Sequence, residues 1–469
     1  MRGKKALCGI LALVCVLSLF LGCTQGSDSG DTETGEKTSV ERELVFGLGE
    51  PLVSSNVKNF NLEKTIQLIG AIGAKSYRMW FTPTDVFSDW SWTEVSSDAS
   101  LSSLPKNTIA KYNDIFAQLE DAGVKEITGM GNFFPVTPST RTGTGKLVPE
   151  YGTNDYQQFL DQIEIIWKTM ASSFPQITHW EVGNETNHTA FVQRADNANM
   201  SYSELLAVTT DLMYYARRGV LAGNPDAVVI TPGFAPVTSY YDDNGKSVPL
   251  KNGIQAVKLA MEGIYENISG GKFPYGEDPD TDPDNYFDGV AWHPYDLGTV
   301  GYANTNDPSV QTFDIDLWVD ANNAVYEVMK ENGDGDKEVW FTEFGLSTKA
   351  ANLTETVADD TDILRYCVDN KYYKTTEAYE EQQAEFVQEY FNAMLSDEMH
   401  YVHACHFFRL YGCTTDYSWN GFTVLYYGIF LEPDETLNRG YYPRSKAYTL
   451  QRIYGGTGDL AKYAEWGSI

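Results

Sequence analysis

"NDYQQFLDQIEIIWKTMASSFPQITHWEVGNETN", residues 154–187, carries a helix and a strand in one line. From Asn154 to Phe174 apolar side chains return every three to four positions, the period of a helix with one buried face. From Ile177 an apolar run continues to Val182, then stops on Gly183, Asn184 and Glu185. An amide and a carboxylate are costly to take out of water, so a strand that ends on both needs a chemical reason.

The same rhythm extends in both directions. Upstream, "ELVFGLG" (43–49), "AKSYRMWF" (74–81) and "VKEITGMGNFF" (124–134) read as strands, with "NLEKTIQLIGAIG" (61–73) and "NTIAKYNDIFAQLEDAG" (107–123) as helices between them. Downstream, the strands are "AVVITPGF" (227–234), "YFDGVAWHPYD" (286–296), "EVWFTEFGLS" (338–347) and "YVHACHFFRLYG" (401–412). Helical stretches start at Tyr202, Gly253, Phe313, Tyr379 and Pro443. Eight strands, each followed by its own helix, predict an α/β fold made of a single closed (β/α)8 barrel, because closure removes the exposed sheet edges. An open doubly wound sheet is the alternative. It usually has fewer strands and often a Gly-rich phosphate turn after the first, and "FGLGEP" lacks that pattern. The insertions at 135–153, 235–250 and 297–310 read as loops.

The N-terminus is of another kind. Arg2, Lys4 and Lys5 precede an apolar run, Ala6 to Leu21, then Gly22-Cys23. That is the layout of an export signal, and the run is short for a membrane span. "LFLGC" resembles a lipobox, which implies lipidation of Cys23 and attachment to a membrane at the cell surface or in the periplasm; an ordinary secretory cut is the alternative. The expected organisation is a signal peptide at 1–23, a flexible acidic linker at 24–42, a catalytic barrel at 43–458 and a C-terminal tail at 459–469. Losing the three basic residues takes the net charge from -31 to -34. Such a surface excludes a nucleic-acid partner, since nothing in it neutralises a phosphate backbone. A monomer is expected. Cys405 and Cys413 are near enough in sequence for a disulfide in an exported protein, and buried thiols are the equal alternative.

A barrel of this kind carries its site at the C-terminal ends of its strands. Those ends bring Arg78 and Trp80, Asn132, Asn184 and Glu185, Trp292, His293 and Tyr295, Glu343, and Phe408 beside Arg409. Two carboxylates on opposite walls, with an Arg, a His, a Tyr and aromatics, suit cleavage of a glycosidic bond. The acetal oxygen must be protonated as it leaves, so one carboxyl must hold a proton. The other must be ionised to attack the anomeric carbon. Aromatic faces stack on the apolar faces of sugars.

"WEVGNETN", "HPY" and "FTEFG" resemble the signatures of clan A retaining glycoside hydrolases, similar to families 5 and 39, over roughly Glu43 to Gly455. The resemblance implies Glu185 as acid/base, Glu343 as nucleophile and Asn184 as donor to a sugar 2-hydroxyl. It also implies His293 and Tyr295 at the end of strand six, the Tyr hydroxyl near the nucleophile, and Arg78 touching that nucleophile. No cofactor or metal is implied, and the partner is a carbohydrate. The sequence departs from the pattern at Thr186, where Pro is common, and shows no familiar motif on strands three and eight. A glycan-binding lipoprotein on the same scaffold, or a transglycosylase using the same residues, are the competing functions.

Duller roles are open to several residues. Glu343 shares a strand face with Val339 and Phe341, which by alternation points into the barrel. Glu181 lies deeper than Glu185 and reads as structural, a partner for Arg78. Trp167 and Trp318 sit at helical spacing and read as core. Trp90, Trp92 and Trp419 fall in loops. The acids of "DPDTDPDNYFD" (278–288) resemble a calcium loop but lack its Gly and closing Glu. His400, His403 and His406 alternate faces on a strand and should not share one metal.

Overall fold

The computed structural model describes residues 44–466, apart from 50–51, 54–59, 142–144, 197–198, 251, 296–313, 347–353, 369–370, 412–417, 420–421 and 424–427. The expected signal segment with Cys23, the expected linker, the insertion at 297–310 and Cys413 lie outside the described residues. Cys405 is buried on the eighth strand. No helix among the described residues is long and apolar enough to cross a membrane.

The eight strands are β1 (Val45–Gly49), β2 (Ser76–Trp80), β3 (Glu126–Met130), β4 (His179–Glu181), β5 (Val228–Ile230), β6 (Val290–Trp292), β7 (Val339–Phe344) and β8 (Val402–Phe407). They pair in parallel in the order β6-β7-β8-β1-β2-β3-β4-β5. Parallel bridges from Ile230 to Gly289 and from Phe234 to Trp292 join the two ends, so the sheet closes on itself as expected. The helices that follow the strands are α1 (Leu62–Ile72), α2 (Lys106–Asp121), α3 (Asn154–Ser173), α4 (Tyr202–Gly223), α5 (Ile254–Ser269), α6 (Ile315–Glu331), α7 (Glu377–Met394) and α8 (Ser445–Tyr454).

Local chemistry sets the helix ends. Thr153 caps α3 by accepting from the Tyr156 N–H. Ser201 and Glu204 form a reciprocal capping box at the start of α4. Gly73 ends α1 at φ 91°, a left-handed turn that costs glycine little. Trp167 and Trp318, expected in the core, are buried between sheet and helices.

Helices α3 and α4 approach unusually closely. A Cβ on Gly219 would fall 2.3 Å from the Glu164 carbonyl oxygen, and one on Gly223 would fall 2.5 Å from that of Lys168. Glycine inside a helix normally loses to alanine by about 0.5–1 kcal/mol. Here the sign reverses. Gly219→Ala must push the two helices apart and should cost about 1–3 kcal/mol, the usual penalty of overpacking, read as a lower urea midpoint with an unchanged slope.

The barrel wall alternates. Tyr77, Met79 and Trp180 face the helices and join the main core. Ile230, Ala291, Trp340 and Ala404, with Val45 and Val228, form a separate cluster drawn from five strands, which places it inside the barrel. This corrects the expected face of β7. Val339 and Phe341 point outward, the Phe341 ring meeting Trp292 and Trp318, while Trp340 and Thr342 point inward. Glu343 reaches the interior for another reason. Between the pairs Phe341–Cys405 and Phe344–Phe407, β7 uses one residue more than β8. Such a bulge re-aims one side chain.

Added structure collects after the C-terminal ends of the strands. Within the expected loop 135–153, Leu147–Val148 pairs with Gln193–Arg194, tying the β3 and β4 loops together. The expected loop 235–250 contains a hairpin, Ser239–Tyr241 against Ser247–Pro249. After β7 comes a three-stranded antiparallel sheet in which Lys371–Lys374 lies between Thr354–Thr356 and Arg365–Val368, an addition with no counterpart in the sequence reading. The expected tail from 459 forms a 3-10 turn, Leu460–Tyr463, with Leu460 and Tyr463 buried against the body.

Candidate active site

Arg78, in the middle of β2, is the hub. Its Nε and Nη2 donate to the two oxygens of Glu181, at 2.6 and 2.8 Å. Nη2 also donates to Asn184 Oδ1 at 2.7 Å, and Nη1 to Glu343 Oε1 at 2.5 Å. One planar guanidinium thereby fixes residues from β4, its loop and β7, a task a lysine ammonium cannot perform. Glu181 is the structural partner of Arg78, as expected. Its Oε1 also accepts from the Gly233 N–H and the Thr342 hydroxyl.

Glu343 is held by two donors. Arg78 takes Oε1, and the Tyr295 hydroxyl donates to Oε2 at 2.8 Å. Burial alone would raise its pKa, but the His293 ring, the Arg78 charge and these hydrogen bonds outweigh it and hold the carboxyl below its ordinary value. Glu185 is in the opposite condition. Burial pushes its pKa up, the negative charge of Glu343 adds to that, and the contact with His293 only partly offsets it. His293 Nδ1 lies 2.8 Å from Glu185 Oε1 and 3.8 Å from Glu343 Oε2. One oxygen of each carboxylate and one nitrogen of His293 all lie within 4.8 Å of one another.

The backbone after β4 is shaped for this placement. Gly183 has φ 136° and Glu185 has φ 51°. A left-handed non-glycine residue is uncommon and is held only where the surroundings fix it. Here the Glu185 N–H donates to the Gly233 carbonyl, and Asn187 bridges both backbone groups of Ala235. Gly233 itself was not singled out in the sequence. A Cβ there would fall 2.3 Å from His293 Nε2 and 2.6 Å from both Glu181 Oε1 and Thr342 Oγ1. Only a residue without a side chain lets these groups meet. The one sequence signal is a Gly directly behind strand five, in "TPGF".

The remaining expected residues divide. Asn184 has its Oδ1 occupied by Arg78, which leaves the amide NH2 as its donor group. Asn132 grips the Asn184 backbone, its Oδ1 accepting from the N–H at 2.7 Å and its Nδ2 donating to the carbonyl at 3.3 Å. It therefore positions Asn184. Trp80 is partly exposed at the barrel mouth, its ring 5.8 Å from the Arg78 guanidinium carbon. Phe408 is partly exposed and meets Tyr295 edge-on at 6.4 Å; its peptide to Arg409 is cis. Trp292 is a correction. It lies wholly buried on the outer face of β6, packed on Phe341 and Tyr401, with its indole N–H donating to Asn322 of α6. Alternation turns Ala291 inward and so turns Trp292 outward.

The trio Glu185, His293 and Glu343 has the donor set of a metal site, but Arg78 and Tyr295 already occupy both oxygens of Glu343, and the guanidinium would repel a cation. The acids of 278–288 do not converge. Asp280 and Asp282 cap local turns, and Asp288 pairs with Arg217.

No protein-family model matches the chain, and no curated protein does. Among solved structures, the chain is similar to the virulence factor SghA in complex with its substrate analog salicin. That likeness has 11% identity over 88% of this chain and 96% of that one, with a TM-score of 0.53. It is also similar to the family 1 β-glucosidase from Thermotoga maritima, at 12% identity over 89% of this chain and 98% of that one, TM-score 0.52. The β-glucosidase of that organism in complex with galacto-hydroximolactam gives 12% and 0.55. At this identity the likeness is one of fold. The (β/α)8 barrel is shared over nearly the whole length of each chain.

Proposed function

We propose that the chain is a retaining glycoside hydrolase acting on β-linked sugars. The observation that carries this reading is a pair of carboxylates with pKa values pushed in opposite directions, oxygens within 4.8 Å of each other, at the C-terminal mouth of the barrel. Carboxyl groups about 5–5.5 Å apart suit double displacement, whereas inverting enzymes need about 6.5–9.5 Å to admit a water. Side-chain exposure of 5% for Glu185 and 8% for Glu343 fits a narrow aperture to solvent. The β-glucosidases that share the barrel favour a β-glycoside as substrate class.

In the first step Glu343 attacks the anomeric carbon as the bond to the leaving oxygen breaks and Glu185 delivers its proton to that oxygen. In the second, Glu185, now ionised, takes a proton from water as the water displaces Glu343. The sugar leaves with its configuration kept. Arg78 and Tyr295 keep Glu343 ionised. Asn184 offers an amide N–H to a hydroxyl beside the anomeric centre, and Trp80 and Phe408 line the mouth.

The pH dependence follows in sign. Glu343 must be ionised, so activity falls as pH drops through its lowered pKa. Glu185 must be protonated, so activity falls as pH rises through its raised pKa. Glu185→Ala should remove the alkaline limb. It should cost about 10^2–10^4-fold on substrates with poor leaving groups and little in the first step with a dinitrophenol leaving group. A panel of aryl β-glycosides and defined β-linked oligosaccharides measures this. Binding without turnover by the wild type across the panel would replace the enzyme reading with the glycan-binding one.

Export is part of the proposal, with Cys23 as the lipidated residue. Mass spectrometry of the mature N-terminus tests it: a diacylglyceryl-modified Cys23 is expected, and an unmodified N-terminus at another residue would overturn it.

A further inference from the structure

At the opposite end of the barrel a second group of imidazoles and carboxylates converges. Glu126 opens β3, His179 opens β4 and His403 lies near the start of β8. His403 Nε2 is 3.2 Å from Glu126 Oε2, and His179 Nδ1 is 3.9 Å from Glu126 Oε1. One ligand atom from each of the three lies within 4.8 Å of the others. Glu338, just before β7, places Oε1 3.3 Å from His403 Nδ1. The ring of Trp340 lies beneath both imidazoles, at 5.4 Å from His179 and 4.9 Å from His403.

Three features distinguish this floor from an ordinary ion pair. Barrel interiors are normally filled by branched apolar side chains, whereas here two imidazoles and a carboxylate share the level of Val45 and Val228. His179 Nδ1 meets the Thr178 hydroxyl at 2.8 Å and stands 3.9 Å from Glu126, too far for a hydrogen bond; a zinc-type ion with bonds of about 2.0–2.1 Å holds tetrahedral ligands roughly 3.3 Å apart and would displace the Thr178 contact. A carboxylate on the far nitrogen of a histidine is the usual support of a metal-binding imidazole, and Glu338 is so placed on His403. The backbone is also adapted. Between the pairs Val339–Val402 and Trp340–Ala404, β8 carries one extra residue, His403, and this bulge turns the ring onto the floor. Side-chain exposures of 14% for His179 and Glu126 and 21% for His403 leave the group within reach of solvent ions.

We propose that Glu126, His179 and His403 form a binding site for one divalent transition-metal ion of the zinc class, with Glu338 orienting His403 from behind. The ion takes the place of the proton between His403 Nε2 and Glu126, and water completes the coordination. It acts as a clamp joining β3, β4 and β8 at the end of the barrel away from the carboxylate pair, and it takes no part in the proposed hydrolysis.

The test uses tag-free protein stripped with a chelator and titrated with zinc chloride by calorimetry, with cobalt(II) as a spectroscopic substitute. The wild type should take up one ion per chain, gain a few degrees in Tm with zinc, and show the visible absorption of a four-coordinate site with cobalt. His403→Gln and Glu126→Gln should each lose uptake, the spectrum and the Tm response. Glu185→Gln should keep all three, which separates the floor from the upper trio. Absence of zinc uptake by the wild type, uptake that survives both floor substitutions, or uptake lost with Glu185→Gln would overturn the proposal, and the wild-type titration decides even where a floor variant fails to fold.

Discussion

Replacing Glu343 by glycine should lower turnover by at least about 10^4-fold while substrate binding persists, because the covalent step loses its only nucleophile. The loss should be partly repaired by azide. The anion enters the vacated space, meets the anomeric carbon from the face the carboxylate used, and leaves a glycosyl azide of inverted configuration. Stability should fall only modestly: the lowered pKa of Glu343 gives up its contribution near neutral pH, but Glu181 still pairs with Arg78, so no buried charge is left alone. Retained folding, lost turnover and azide rescue together identify a nucleophile; lost turnover accompanied by unfolding would identify a structural acid. Rate measurements with and without azide, beside a urea titration, separate the two.

Arg78→Met should have the largest effect on stability, about 3–5 kcal/mol, because it strands Glu181 and Glu343 in the barrel interior without their shared cation. The effect depends on pH. A carboxyl whose folded pKa is lowered contributes stability that is present above its unfolded pKa and lost as pH falls through the folded value. Glu343 is such a group, and Arg78 is among the causes. The deficit of the variant should therefore be full near neutrality and shrink as pH falls through the carboxylate range. The acid limb of its residual activity should move to higher pH, since Glu343 then ionises less readily. Arg78→Lys should recover only part of either quantity, because an ammonium cannot span Glu181, Asn184 and Glu343 from one plane. Urea midpoints taken across pH check the direction. A deficit that stays the same across the carboxylate range would show that Arg78 acts through packing alone.

The barrel was legible because periodicity repeats. A strand buried on both faces and an amphipathic helix differ in their sequence period, and eight alternations leave one closed architecture. The site was legible where a residue ends a strand and its chemistry has no place in a core, as with Glu185 after Gly183 or His293 and Tyr295 in "HPY". It failed where geometry breaks the period. Alternation puts Glu343 on the face of Val339 and Phe341, yet those two point outward, and the bulge on β7 turns the acid inward. Trp292 stands beside His293 and Tyr295 in the sequence, but alternation with Ala291 sends it to α6. Gly233 carries no chemistry and is visible only as the space that His293, Glu181 and Thr342 require. The floor group could not be seen along the chain, since Glu126 and His403 are 277 residues apart and meet only across the closed barrel. Regular alternation sets His400, His403 and His406 on opposite faces, and the bulge at His403 lies outside that rule.

The central claim is that Glu343 becomes covalently bonded to the sugar while Glu185 manages the proton. The direct measurement is mass spectrometry of the protein after exposure to activated 2-deoxy-2-fluoro-β-glycosides, whose fluorine slows release of the intermediate. The account predicts a gain of one sugar per chain, confined to the peptide that contains Glu343 and absent from Glu343→Gly. Hydrolysis of the parent glycosides without any adduct and with inverted products, or an adduct on a different carboxylate, would contradict it.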